Sequence, residues 1–124
     1  MPLSRPSSEP LPDPVAFSAR RRAQRDADGA VVIDLGGDLD LSAVAMLARV
    51  VEDALDEGDV VLDLDVVDFV ALAGLDALAA LAVTARHRER RLRAVHCSRA
   101  VTRTAALASQ IGLEIDLDGL ATSG

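Results

Sequence analysis

Hydrophobic residues follow two different spacings along this chain, and segments with one spacing alternate with segments with the other between residues 16 and 117. Short runs of apolar and β-branched residues predict strands. These runs lie at residues 31–35, 60–64, 91–96 and 113–117. Apolar residues spaced three and four apart predict amphipathic helices. The helices are expected at residues 41–55, from the low 70s to about Arg88, and from Arg99 to Gln110.

The beginning of this pattern predicts a hairpin. Residues 16–24 alternate weakly between apolar and polar side chains, which is typical of an edge strand. The sequence DADG at 26–29 is a turn signal, because Gly29 can adopt a positive φ angle. The strand that begins at Val31 is expected to pair with the first strand, and GGDLD at 36–40 is expected to end it.

The predicted elements follow the order β-β-α-β-α-β-α-β. Strands separated by helices of this length are joined by right-handed crossovers and form a parallel sheet. The sequence therefore predicts an α/β fold, a single domain whose mixed sheet has an antiparallel hairpin in front of a parallel core. Ser42 lies near the start of the first helix, Ser98 is expected to cap the third, and Gly112 to end it.

The prolines mark a boundary. All five lie between Pro2 and Pro14, and proline disrupts both helices and strand ladders. We expect residues 1–14 to be a flexible tail, residues 15–118 to form the compact domain, and residues 119–124 to be a flexible end.

Composition and charge exclude several functions. The formal charge of −7 argues against non-specific binding to nucleic acid, which depends on neutralising phosphates. All thirteen basic residues are arginine, so no mechanism that needs a lysine is available. The single cysteine, Cys97, suits a reducing compartment. The chain has no apolar run of about 18 residues and no secretory signal, so we expect a cytoplasmic protein without membrane insertion.

Carboxylates are the first candidates for chemistry. They follow two predicted strands and would lie at one edge of a parallel sheet, where a metal ion could bind. They are Asp38, Asp40, Asp63, Asp65 and Asp68. No EF-hand or phosphate-loop spacing accompanies them, so helix caps and turns are the preferred interpretation. The sequence predicts no metal site.

Other candidate groups point away from catalysis. His96 and Cys97 are neighbours on a predicted strand, so their side chains point to opposite faces and do not form a dyad. The basic run from Arg86 to Arg93 is explained by cations that complement a helix dipole, with anion binding or partner docking as the alternative. No serine lies in a nucleophile elbow. We expect no enzyme activity, no catalytic residue and no cofactor.

The joint between the predicted strand and helix at Val70–Gly74 has an unusual composition. Such joints often present polar or phosphate-binding groups in α/β proteins. This one, Val-Ala-Leu-Ala-Gly, offers only hydrocarbon and backbone.

Three segments of the chain, in their order, resemble the STAS domain, the family of anti-sigma factor antagonists and of the cytoplasmic domains of sulfate transporters. They are GGDLDLSAVAMLARVVEDAL, VVLDLDVVDFVALAGLDAL and SRAVTRTAALASQIGL. Gly37-Asp38-Leu39-Asp40 matches the pattern G-x-L-D, and Asp63 takes the family's aspartate position. The resemblance covers roughly residues 16–117 and implies helices packed mainly on one face of the sheet.

The resemblance also implies a role for the joint. The family's regulatory loop commonly reads D-S-S-G-L, and it aligns with residues 71–75, ALAGL. In the family, a partner kinase phosphorylates the second serine, whose counterpart here is Ala73, while Ala71 replaces the aspartate. Alanine has no hydroxyl group, so this position cannot be phosphorylated. The implied partner-binding residues are Asp40, Ala71, Leu72, Ala73, Gly74 and Leu75.

The resemblance implies a non-enzymatic interaction module whose partner is an anti-sigma factor kinase-like protein or another STAS protein. Two other functions remain open: a domain that binds a nucleotide or small ligand near Asp40, and a subunit of a membrane transporter assembly. The joint could also be a plain connection without a partner. A homodimer through the edge strand at 16–24 is open too, although three arginines there oppose strand pairing.

Overall fold

The computed structural model describes residues 16–110 and 120–123, which contain a five-stranded sheet and three helices. The strands are β1 Ser18–Arg21, β2 Val31–Leu39, β3 Val60–Val70, β4 Leu92–Val95 and β5 Leu120–Ser123. The helices are α1 Val44–Leu55, preceded by a 3-10 turn at Leu41–Ala43, α2 Leu72–His87, and α3 Arg99–Gln110. The strands lie side by side in the order β1-β2-β3-β4-β5.

The strand directions confirm the predicted α/β fold. β1 runs antiparallel to β2, and every later strand is parallel to its neighbour. Gly29 in the hairpin turn has a φ of 85°. The strand predicted at 113–117, the helix stop at Gly112 and the tail at 1–14 lie outside the described residues. β5 lies within residues 119–124, for which the sequence predicts a flexible end.

The main core lies between the sheet and the three helices, which pack on one of its faces. α1 and α2 contribute the apolar side chains that their spacing predicts, except that Val44 is half-buried and outside the core, and α3 contributes as well. Among them are Leu47, Val51 and Leu55 of α1, Leu75, Leu78, Leu81 and Ala82 of α2, and Val101 of α3. The opposite face of the sheet carries only a small apolar cluster in the described residues, made by Ala30, Val32 and Val61 with Val95 beside it.

The prediction that GGDLD ends the strand is wrong, because β2 continues through both glycines to Leu39. A Cβ atom on Gly36 would lie 3.1 Å from both Ser18 Oγ and Val66 Cγ2, so a side chain there would crowd β1 and β3. Gly37 has a φ of 78°, and the pairing with β3 shifts on both sides of these residues. The glycines are therefore bulge positions inside a strand, and only the tertiary neighbours reveal this.

Two hydroxyl groups of the α3 region replace a neighbouring strand along the second half of β3. β4 pairs with β3 only from Val60 to Asp63. Beyond that point, Ser98 Oγ donates to the Val67 carbonyl at 2.8 Å, and Thr104 Oγ1 donates to the Val70 carbonyl at 2.8 Å. Ser98 Oγ also accepts from the Val101 N–H at 3.4 Å, which confirms its predicted place as the helix cap.

The basic run after α2 stabilises a different helix from the one expected. Arg88 Nη1 donates to the Glu52 carbonyl at 3.1 Å and to Asp56 Oδ1 at 3.0 Å. Arg90 Nε donates to the Leu55 carbonyl at 3.0 Å. The Glu52 carbonyl also accepts from the Asp56 N–H at 3.2 Å, so these cations add to the local capping at the C-terminal end of α1.

Gly74 permits the close approach of α2 to the sheet. A Cβ atom at this position would collide with the Leu39 carbonyl oxygen and would lie 2.7 Å from Leu39 Cγ. The Ala71 N–H donates to the same Leu39 carbonyl at 3.0 Å. The first turn of α2 is therefore held directly against the backbone at the end of β2.

We expect Gly74→Ala to destabilise the fold by about 1–3 kcal/mol, because the added methyl group forces α2 away from β2. Urea unfolding followed by circular dichroism measures this loss. Gly58→Ala is the matched control: its Cβ would meet only Arg25 Nη1, at 3.6 Å, so stability should stay within about 1 kcal/mol of the wild type. Equal stabilities for the two variants would contradict the packing argument.

Candidate functional site

The joint between β3 and α2 lies at the edge of the sheet where β2 also ends. Leu39 and Val70, the last residues of these strands, are paired. Ala71 is extended, with φ −82° and ψ 163°, and α2 begins at Leu72 without a hydrogen bond from a capping side chain. The backbone turns directly from strand to helix, so the joint is short and its side chains are fixed by two regular elements.

Large apolar side chains are exposed around this joint. Leu41 is 74% exposed, Phe69 50% and Leu72 38%. Phe69 precedes the paired end of β3, Leu72 follows it, and Leu41 follows the end of β2. We call these three residues the joint surface. A hydrocarbon surface of this kind is suited to contact with another protein.

The residues predicted for this site differ in their exposure to solvent. Leu72 is exposed, and Ala71 and Ala73 are half-buried. Gly74 and Leu75 are buried, and Leu75 belongs to the main core. The part of the segment that is available for contact is therefore Ala71–Ala73, while Gly74 and Leu75 hold it in place.

Asp40 caps the 3-10 turn that leads into α1. Its Oδ1 accepts from the Ser42 N–H at 3.0 Å and from Ser42 Oγ at 2.6 Å. The preferred interpretation of this carboxylate as a helix cap therefore agrees with the structure, and Ser42 supplies the donors. Asp40 fixes the start of the turn that carries Leu41.

The remaining candidate carboxylates do not form one cluster. Asp63 is the only buried charged residue in the part of the chain that the structure describes. Asp65 and Asp68 lie further along β3 and are exposed. Within residues 16–110 and 120–123, no group of three histidine, cysteine, aspartate or glutamate side chains is placed to hold a metal ion.

Asp63 is instead the centre of an ion-pair network on the helix-free face of the sheet. Arg22 Nη2 donates to Asp63 Oδ2 at 2.8 Å and to Asp34 Oδ1 at 2.7 Å. His96 Nδ1 lies 3.1 Å from Asp63 Oδ2. The network joins the residue after β1 to β2, β3 and the residue after β4, so it binds four successive strands across their outer face.

The surroundings of Asp63 and Arg22 in this network favour their charged forms. Burial alone would raise the pKa of Asp63, but the Asp65 N–H, His96 and Arg22 together outweigh burial and lower it. Hydrogen bonding to Asp34 is the largest influence on Arg22 and raises the pKa of its guanidinium. Asp63 is therefore an anchored anion with its acceptor sites occupied, which suits a structural role.

His96 and Cys97 have separate surroundings. His96 has a φ of 53°, which lets its ring turn back to Asp63. Cys97 packs partly against the main core, and burial raises the pKa of its thiol. A thiol in such a place is a weak nucleophile.

The sequence did not reveal this network, although one signal was available. Asp34 and Asp63 hold the same position in two strands that were both predicted, and the structure pairs them directly. Two carboxylates side by side on parallel strands need a cation between them. Arg22 meets that need, but its place follows from the hairpin register rather than from a motif.

Among the described residues, no helix has both the length and the apolar composition required to cross a membrane.

Comparison with known proteins gives a family match. The family model described as "Mlab, STAS domain" matches residues 23–120. A comparison with curated protein sequences gives no significant match.

Several solved structures share the fold. The unphosphorylated form of the anti-sigma factor antagonist SpoIIAA superposes with a TM-score of 0.59 at 18% identity, over 88% of this chain and 89% of that one. An anti-sigma factor antagonist from Mycobacterium paratuberculosis gives 0.58 at 24% identity, over 87% and 93%. An antisigma-factor antagonist STAS domain from Rhodobacter sphaeroides gives 0.52 at 19% identity, over 68% and 94%.

Asp63→Asn is expected to destabilise the fold by about 1–2 kcal/mol at neutral pH, because it removes the charge that Arg22 and His96 face. The folded-state pKa of Asp63 is lowered, so its contribution is complete above the unfolded value near 4 and is lost as the pH falls. Urea unfolding at a series of pH values should therefore show the wild-type advantage shrinking below about pH 4.

The control for this experiment is Asp65→Asn, on the same strand but exposed. Its stability should follow that of the wild type at every pH. An Asp63→Asn variant whose deficit stays constant down to strongly acidic pH would show that the charge of Asp63 contributes nothing.

Proposed function

This chain belongs to the STAS family, and we propose that it is a non-enzymatic module that binds another protein through the joint surface. The observation that carries the proposal is the exposure of Leu41, Phe69 and Leu72 around a joint that has no hydroxyl group. Exposed large apolar side chains that gather at one place are typical of protein interaction sites. The three solved structures compared above are anti-sigma factor antagonists, which supports a signalling role.

The rigidity of the joint supports this proposal. Leu72 and Ala73 lie in the first turn of α2, which Gly74 holds against Leu39. Phe69 lies in β3, whose neighbouring residues are bonded by Ser98 and Thr104. A surface that is already ordered loses little conformational entropy on binding.

The negative charges around the joint surface indicate that the partner surface is positively charged. Asp38 pairs with Phe69 across the strands, and Asp68 and Asp76 are exposed on either side of the joint. The chain as a whole has a net charge of −7. We expect the partner to present an apolar patch with arginine or lysine around it, since opposite charges at the rim speed association and fix orientation.

The chemistry of Ala73 distinguishes this module from a phosphorylation switch. A phosphate here would add about −1.5 to −2 charges next to a bound partner and would expel it. Ala73 has no hydroxyl to accept that group, so binding at the joint surface continues whether or not a kinase is active. We propose an anti-sigma factor kinase-like protein or another STAS protein as the partner, in the cytoplasm of a bacterial cell.

Binding should be lost when the joint surface is made polar. We expect Phe69→Asp and Leu72→Asp each to weaken binding to a cognate anti-sigma factor kinase-like protein or STAS protein by at least about tenfold, measured by titration calorimetry. Leu107→Asp is the matched control, because Leu107 is 51% exposed on α3. Weakening by the control but not by the two joint variants would move the interface to α3.

Phosphorylation should become possible only when the loop residues are restored. We expect the double variant Ala71→Asp with Ala73→Ser to accept phosphate from a partner kinase with ATP and then to release that kinase. The wild-type chain should remain unmodified and bound under the same conditions. Mass spectrometry and calorimetry before and after ATP give the two results, and release of the kinase by the wild-type chain after ATP would overturn the proposal.

A further inference from the structure

The outward face of α2 is apolar along most of its length, unlike the outward faces of its neighbours. α1 exposes Arg49 and Asp53, and α3 exposes Arg103. α2 carries no charged residue from 77 to 85. A helix that packs one face on a core normally places charged side chains on the other, and a helix that is apolar all round is normally covered on both sides.

Small and apolar side chains fill this outward face. Ala80 and Val83 are exposed, Val83 to 38%, and Ala77 and Thr84 are half-buried beside them. The Thr84 hydroxyl donates to the Ala80 carbonyl at 3.2 Å, so this polar group is already satisfied within the helix. The middle of the face is therefore a low hydrocarbon surface, and its alanines allow another helix to approach to roughly 8 Å between axes.

Charges of opposite sign stand at the two ends of the face. Asp76 precedes the apolar stretch, and Arg86 and His87 follow it. All three are exposed, and none takes part in an ion pair with another residue that the structure describes. Asp76, Ala80, Val83 and His87 follow one another at intervals of three and four, so they share one side of the helix.

We infer that this face binds the same face of a second copy of the chain, with the two α2 helices antiparallel about a twofold axis. Asp76 and Arg86 are ten residues, or about 15 Å, apart along the helix. An axis that passes near the midpoint between them brings each Asp76 against the other copy's basic end. The same operation sets Ala80 opposite Val83, so a small side chain receives a larger one.

The other simple arrangement of two copies is disfavoured. Parallel helices would place the two Asp76 side chains together and the two basic ends together, and such like-charge contacts are costly. One helix face also offers less than the roughly 800 Å² per partner of a standard stable interface. The dimer is therefore weak, and its population depends on protein concentration.

Sedimentation velocity over a wide range of protein concentrations tests this inference on the full chain. The mass should rise from that of one chain towards that of two. Val83→Glu and Ala80→Arg should each abolish this rise in mass. Circular dichroism shows whether each variant is folded, and if one of them is unfolded, the result of the other variant tests the inference. Leu107→Glu, which changes an exposed apolar residue outside this face, should dimerise like the wild type.

Exchange of the charges tests the antiparallel arrangement. Asp76→Arg alone, and Arg86→Asp with His87→Asp, should each weaken the dimer by at least about tenfold. The three substitutions together should restore association to near the wild-type level. The inference is overturned if the wild-type chain is monomeric at every concentration, as it would be if α2 instead binds a different protein. It is also overturned if the triple variant dimerises more weakly than each of the two charge variants.

Discussion

The arrangement of this domain depends on a contact that has no room for a side chain. Gly74 places the first turn of α2 against the Leu39 carbonyl, and the Ala71 N–H binds the same oxygen. α2 is the middle helix and contacts both α1 and α3. Since the interior is close-packed, displacing α2 would displace the whole helical layer. The glycine of the segment ALAGL at residues 71–75 thus has a steric reason that is independent of any phosphorylation.

The same contact holds the backbone of the joint in a fixed position. The turn from β3 to α2 takes place within two residues, so Phe69 and Leu72 are held by regular structure on either side. Nothing at the joint needs to be ordered when a partner arrives. In the function that we propose, the absence of a hydroxyl at Ala73 makes binding unconditional, while the contact at Gly74 keeps the joint surface in place.

Much of the fold could be predicted from the sequence, because apolar spacing is a local property. α1 and α2 bury the residues that their spacing selects, and the parallel order follows from the alternation of elements. The errors have tertiary causes: Gly36 and Gly37 resemble a strand end unless the contact of Val66 with Gly36 is known. Arg88 and Arg90 could not be assigned to α1 from their own helix alone. The burial of Leu75 follows from its helical spacing, but the ion-pair network of Asp63 and the close approach at Gly74 depend on register and packing, which no single segment contains.

The hydroxyl bonds from Ser98 and Thr104 to β3 have a consequence for how copies of this chain can meet. A strand whose carbonyl groups are unpaired is a template on which a further strand can add, and such addition leads to aggregation. Here the Val67 and Val70 carbonyls are occupied by side chains of the same molecule, so the exposed half of β3 cannot recruit a strand at these positions. Val66 and Phe69 can therefore be exposed to solvent at this sheet edge, while the bonded carbonyl groups beside them oppose the addition of a further strand.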